Sequence, residues 1–188
     1  MSLFKDLMNF AYDVTCTMLG LDPATDPQNI LPLDYTESPS GLDDPHSDCA
    51  FYLVQFDDTD INRQIDTEIE VLSPVTMNKK VKYVRNLRFI WQTYGDDGFE
   101  WADRIRIKLF DPDIQALFED KGISLITDVP EPVYIPERIG QKWYKRYDLA
   151  AKFNQLVTVE ESVSAVASAE IAIVDEEGVV GGCSISVQ

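Results

Sequence analysis

The chain is poor in the residues that most enzyme chemistry uses. It has a single histidine, His46, in 188 residues, and that residue lies in a proline-rich acidic stretch rather than on an apolar scaffold. A histidine triad needs its base held rigidly beside a nucleophile, and a loop position does not supply that. Cysteine is equally sparse. Cys16, Cys49 and Cys183 are far apart and form no CxxC or Cys/His spacing, which argues against a zinc site and suits reduced thiols. No GxGxxG or GxxxxGK[ST] run occurs, and Gly181-Gly182 stands without a following helix. Asp57-Asp58-Thr59-Asp60 carries the acids of a cation loop but lacks the glycine and closing glutamate of an EF-hand. No catalytic residue, metal or cofactor is therefore expected. Long apolar runs are missing too. None approaches the roughly 20 residues that cross a bilayer, and MSLFKDLMNF lacks the apolar stretch of a signal peptide. The expectation is a soluble protein made in the cytoplasm.

Positive charge is scarce, and its placement is uneven. The net charge is −17; from Asp6 to Asn62 there are twelve acids and no Lys or Arg, and from Phe153 to Gln188 six acids and again no base. Fourteen of the sixteen basic residues lie between Lys79 and Lys152, against twelve acids. Acidic ends thus flank a near-neutral centre. A reader of nucleic-acid sequence needs a basic excess to neutralise phosphates, and this chain has the opposite. An acidic exterior favours solubility and attracts basic partners.

What is present is apolar and aromatic. Hydrophobic residues make up 45% of the chain, with three Trp, eight Tyr and nine Phe, enough for a real core and too much for global disorder. Ser2 to Leu19 keeps helical spacing through Leu7, Ala11, Val14 and Met18, and Gly20 can close it. Leu21 to Asp48 holds five prolines and seven acids and reads as an arm or loop. Cys49 to Phe56 is a strand candidate. Arg63 to Leu72 and Val81 to Gln92 alternate as the arms of a long hairpin. After Tyr94-Gly95 the period changes. Asp96 or Asp97 is placed to cap a helix whose stripe is Phe99, Ala102, Ile105 and Leu109, and a shorter helical turn follows Asp111-Pro112.

The longest signal runs from Trp143 to Val159, WYKRYDLAAKFNQLVTV. Trp143, Lys145, Tyr147, Leu149, Ala151 and Phe153 fall on one side of a strand, Tyr144, Arg146, Asp148 and Ala150 on the other. Seventeen extended residues reach about 55 Å, several times the usual strand, and a strand that outruns its domain invites cover by another chain. AEIAIV, Ala169 to Val174, is a last strand before an acidic, glycine-containing tail. These elements make an α+β fold: mostly antiparallel sheet, one principal helix packed on a face, a long projecting β-strand or hairpin, and an N-terminal helix. The expected organisation is an N-terminal helix over 1–20, the acidic arm over 21–48, the α+β domain over 49–175 and the tail over 176–188.

A strand leads into IWQTYGDDGFEWADRIR, then KGISLI, then VPEPVYIPERIGQKWYKRYDLAAKFN. This order resembles the neck or tail terminator family of long-tailed bacteriophages. The matching residues are Tyr94-Gly95, Ala102, Gly122-Ile123, Val129-Pro130 and Arg146-Tyr147-Asp148, within Arg63 to Val174. The resemblance implies a structural virion protein with no active site, a ring, generally a hexamer, at the head-proximal end of the tail tube. Such a ring stops tube polymerisation and joins the tail to the head or neck. Its implied partners are copies of itself, the tail tube protein, a head-completion or connector protein and, in a contractile tail, the sheath. Phage DNA passes through without specific binding, and no membrane is involved. On this reading Trp143, Tyr144, Arg146, Tyr147 and Phe153 on the long strand, with Leu31 and Tyr35 on the arm, are the expected interface. Two rivals stand beside it: another head–tail connector, neck or tube ring subunit, and an acidic-surface enzyme or regulator.

Overall fold

The computed structural model describes residues 3–22, 29–33, 46–73, 76–164, 168–175 and 178–186. The chain divides into two compact units, Met1–Thr59 with Arg85–Leu156, and Asp60–Val84 with Val157–Gln188.

The first unit is a sheet with helices on one face. Its strands are β1 (Ile30–Pro32), β2 (Cys49–Asp57), the later part of β4 (Thr76–Tyr94), β5 (Ile123–Leu125), β6 (Val133–Ile139) and the earlier part of β7 (Lys142–Ser164), with β3 (Ile65–Ser73) in the other unit. The strand order is β1-β2-β4-β7-β5, and β6 also pairs with β7. β1 runs parallel to β2, whereas β2–β4, β5–β7 and β6–β7 are antiparallel. Alternation sorts the side chains. Ala50, Tyr52 and Val54 of β2, Leu87, Phe89 and Trp91 of β4, and Leu149, Ala151 and Phe153 of β7 join one core. The helices α1 (Leu3–Leu19), α2 (Gly98–Lys108) and α3 (Pro112–Glu119) supply Leu7, Ala11, Val14, Met18, Ile105, Ile114 and Phe118 to that same core. The expected principal helix, α2, therefore shares its layer with two others. At the centre Phe89, Phe118 and Phe153 pack ring to ring, with Phe118 stacked on Phe153 at 4.5 Å. Full burial of such a ring contributes about 1.5–3 kcal/mol.

Local chemistry explains the helix ends. Gly20 takes φ +72 and Leu21 N–H donates to the Cys16 carbonyl at 2.9 Å, the six-to-one closure that glycine permits. Asp111 caps α3 through its carboxylate, accepting from Asp113 N–H, with Pro112 opening the helix. For α2 the expectation needs correction. Asp97 occupies the cap position without a side-chain hydrogen bond, and Asp96 is engaged with Lys145 at 2.9 Å and His46 at 2.9 Å. The acceptor is instead Asp48, distant in sequence, which takes the Asp97 N–H at 2.8 Å. Gly95, at φ +103, makes room for this: a Cβ there would sit 2.7 Å from the Ser47 carbonyl oxygen.

Four strands, β1, β5, β6 and β9, were not expected as strands from the sequence. β1 interrupts the expected arm: Ile30 is buried in the main core and Leu33 N–H bonds to the Tyr52 carbonyl. β6 lies within the proline-punctuated run PEPVYIPERIG. It tolerates Pro136 because it pairs only with β7 and so stands at an edge. β9 (Gly178–Ser186) occupies the expected tail and pairs antiparallel with β8 (Ser168–Asp175) in a separate two-stranded sheet.

The second unit contains β3, the earlier part of β4, the later part of β7, and the β8–β9 pair. β3 and β4 form the expected long hairpin, with Ile65 opposite Tyr83 and Val71 opposite Met77. β7 spans 23 residues, longer than the 17 anticipated, and contributes to both units.

Candidate assembly interface

The start of β7 and its partner β6 carry two of the exposed aromatic residues of the first unit, Trp143 and Tyr134. Tyr147, half-buried, is the centre. Its ring lies 5.7 Å from Phe99 of α2 and 5.2 Å from Tyr134 of β6. Gly98 leaves space beneath it, since a Cβ there would come within 3.2 Å of the ring. Phe99 is 45% exposed, Tyr134 54% and Trp143 65%, so the stripe continues into solvent beyond the helix layer. Arg138 pairs in register with Trp143 and Pro136 with Lys145. This combination of rigid aromatic groups and arginine on one sheet edge is the composition of protein contact sites.

The opposite face of the same strands carries a polar network. Arg146 grips both Asp148 oxygens at 2.6 Å and reaches Glu137 at 3.3 Å, while Tyr94 donates its hydroxyl to Glu137 at 2.7 Å. The Asp148 contact, above all, holds the Arg146 guanidinium firmly charged. Burial, and then the Glu137 contact, push the Tyr94 phenol well above its ordinary range. A small second core of Cys49, Phe51, Tyr94 and Tyr144 sits on this face, with Leu31, Leu33 and Ile139 packed against it. Burial pushes the Cys49 thiol up to about 12, so it stays protonated and unreactive. A groove of about 420 Å³ lies on this face, bordered by Arg88, Ile90, Gln92, Val133 and Ile135.

The expected interface residues thus separate. Trp143 is open, Tyr147 and Arg146 are partly covered, and Leu31 is partly buried against the second core. Phe153 and Tyr144 are corrected: both are buried within the fold, at 0% and 4% exposure, and neither is free to meet a partner. Tyr35 lies outside the described residues. Tyr134 and Phe99 were missed. Pro136 disguised the strand that carries the first, and helical spacing assigned the second to the core. On the surface, Lys145 and then His46 hold the Asp96 carboxyl below the usual carboxylate range.

Nothing in this arrangement pairs a nucleophile with a base. Among the described residues no group of His, Cys, Asp and Glu is placed to hold a metal ion, and no helix is long and apolar enough to cross a membrane. Residues 5–178 match the model of a family described as phage neck terminator protein. The chain belongs to that phage neck terminator family. The family is a structural one, so the protein is a component of the phage particle that meets other head and tail proteins. No curated protein sequence matches this neck terminator chain.

Proposed function

We propose that six copies of this neck terminator close into a ring at the head-proximal end of the tail tube, where the ring ends polymerisation and joins tail to head. Family membership over residues 5–178 carries the reading. A tube end is a repeating edge that adds subunits until a different surface covers it. A ring with one face matched to the tube and another unlike it supplies the stop, and cyclic symmetry closes it. The aromatic stripe of Trp143, Tyr147, Tyr134 and Phe99, flanked by Arg146 on the reverse side of β7, suits docking to a second particle protein. The partners on this reading are the tail tube protein, a head-completion or connector protein, and the sheath in a contractile tail. DNA crosses the ring without specific binding, since an acidic chain repels phosphate.

The test is the mass of the protein in solution and on isolated tube ends. Six copies of 21.3 kDa give about 128 kDa. A subunit that stays monomeric in both settings contradicts the ring.

A further inference from the structure

The second unit has an unusual burial pattern. Between residues 60–84 and 157–163 no described side chain is buried, whereas the first unit has a full core. Its β3–β4 hairpin is nevertheless sharply two-faced. On one face Asp66, Glu68 and Glu70 stand opposite Lys82, Lys80 and Asn78. That face is closed by ion pairs: Lys82 reaches both Glu68 oxygens at 2.8 Å, and Lys80 meets Glu160 of β7 at 2.7 Å. On the other face Ile65, Thr67, Ile69 and Val71 stand opposite Tyr83, Val81, Lys79 and Met77. Because Glu160 reaches the charged side, alternation turns Val159 to the apolar one. The β3 side of this second face is open, while Tyr83, Val81, Lys79 and Met77 of β4 are half-buried. Ile65, Ile69 and Val71 are each 62% exposed, and Val159 is 50% exposed.

We propose that this apolar face of β3, β4 and β7 is where one copy of the chain meets the next. The inference rests on the ring reading above and names the surface that closes it. Two observations favour a second copy over an unlike partner. First, the chain carries −17, so identical copies repel wherever their acidic surfaces approach. Across its β3 and β4 positions this face has one lysine and no acid, which makes it the place where copies approach without that penalty. A basic partner would be drawn instead to the acidic exterior. Second, a ribbon in which no described side chain is buried gains stability when its open apolar residues are covered. Every copy has the same need, and a closed ring covers every copy alike. A contiguous apolar face of branched side chains is also a recognised mark of protein contact.

The test compares Ile69→Lys with Glu70→Gln in the full chain, by mass in solution and on isolated tube ends. Ile69→Lys lowers the net negative charge, so relief of repulsion alone would strengthen assembly. The surface assignment predicts the reverse, assembly weakened about ten-fold or more, with Glu70→Gln assembling as the unchanged chain does. Fluorescence of the buried Trp91 reports whether the first unit is still folded. A fully assembled Ile69→Lys ring overturns the surface while leaving the ring intact. An unchanged chain that never exceeds one copy overturns both. Should Ile69→Lys unfold, hydrogen exchange of the unchanged chain decides. Residues 65–73 gain protection on assembly if the face is a contact, and equal exchange free and assembled refutes it.

Discussion

At the scale of single residues, the main core depends on a polar contact as well as on packing. Trp91 is fully buried on β4, and its indole N–H donates to the Thr15 hydroxyl of α1 at 2.9 Å. Thr15 in turn donates to the Ala11 carbonyl at 2.6 Å, so one hydroxyl satisfies two groups and ties helix to sheet. Valine has the shape of threonine without the acceptor. Thr15→Val is expected to lower stability by about 1–3 kcal/mol, the cost of a buried donor left unpaired. A denaturation midpoint measures it, and an unchanged midpoint would mean that the indole finds another acceptor. Arg146 shows the same economy near the surface, where one guanidinium pairs with both Asp148 and Glu137.

At the scale of elements, β7 displays what alternation reveals and where it stops. Leu149, Ala151 and Phe153 are buried as the period of two requires, while Asn154 on the opposite face is exposed. Phe153→Lys is therefore expected to cost more than about 3 kcal/mol, because an unpaired charge would enter the main core, whereas Asn154→Lys stays within about 0.5 kcal/mol. Thermal unfolding separates the two. Equal tolerance would refute the strand register. Asp148, on the same face as Asn154, is not interchangeable with it, because Arg146 holds it at both oxygens. The long strands, the hairpin and the helices were legible because each repeats its period over many residues. β1 has three residues and leaves no period to read, while β6 carries an edge proline and β9 adjoining glycines. The Asp48 cap on α2 joins residues 49 positions apart, beyond any local signal. The placement of the candidate interface residues was legible in part. Trp143 and Tyr147 lie on the signalled strand, but alternation alone could not say that Phe153 meets helices of its own chain.

At the scale of the whole molecule, the two units divide the labour. The first has the helix-covered core and the aromatic stripe, and the second has a sheet that no described residue buries. The proposed ring uses both, a stable body and a surface that a second copy completes. On the proposed reading, the acidic surface keeps free subunits apart, and the apolar face of the second unit brings them together at the tube end. The central claim is that this protein stops the tail and joins it to the head. The most direct measurement is the length and attachment of tails in particles made without it, seen by electron microscopy. The account predicts filled heads and unjoined tails of abnormal length, with synthesis of the other structural proteins unchanged. Tails of normal length joined to heads would contradict it.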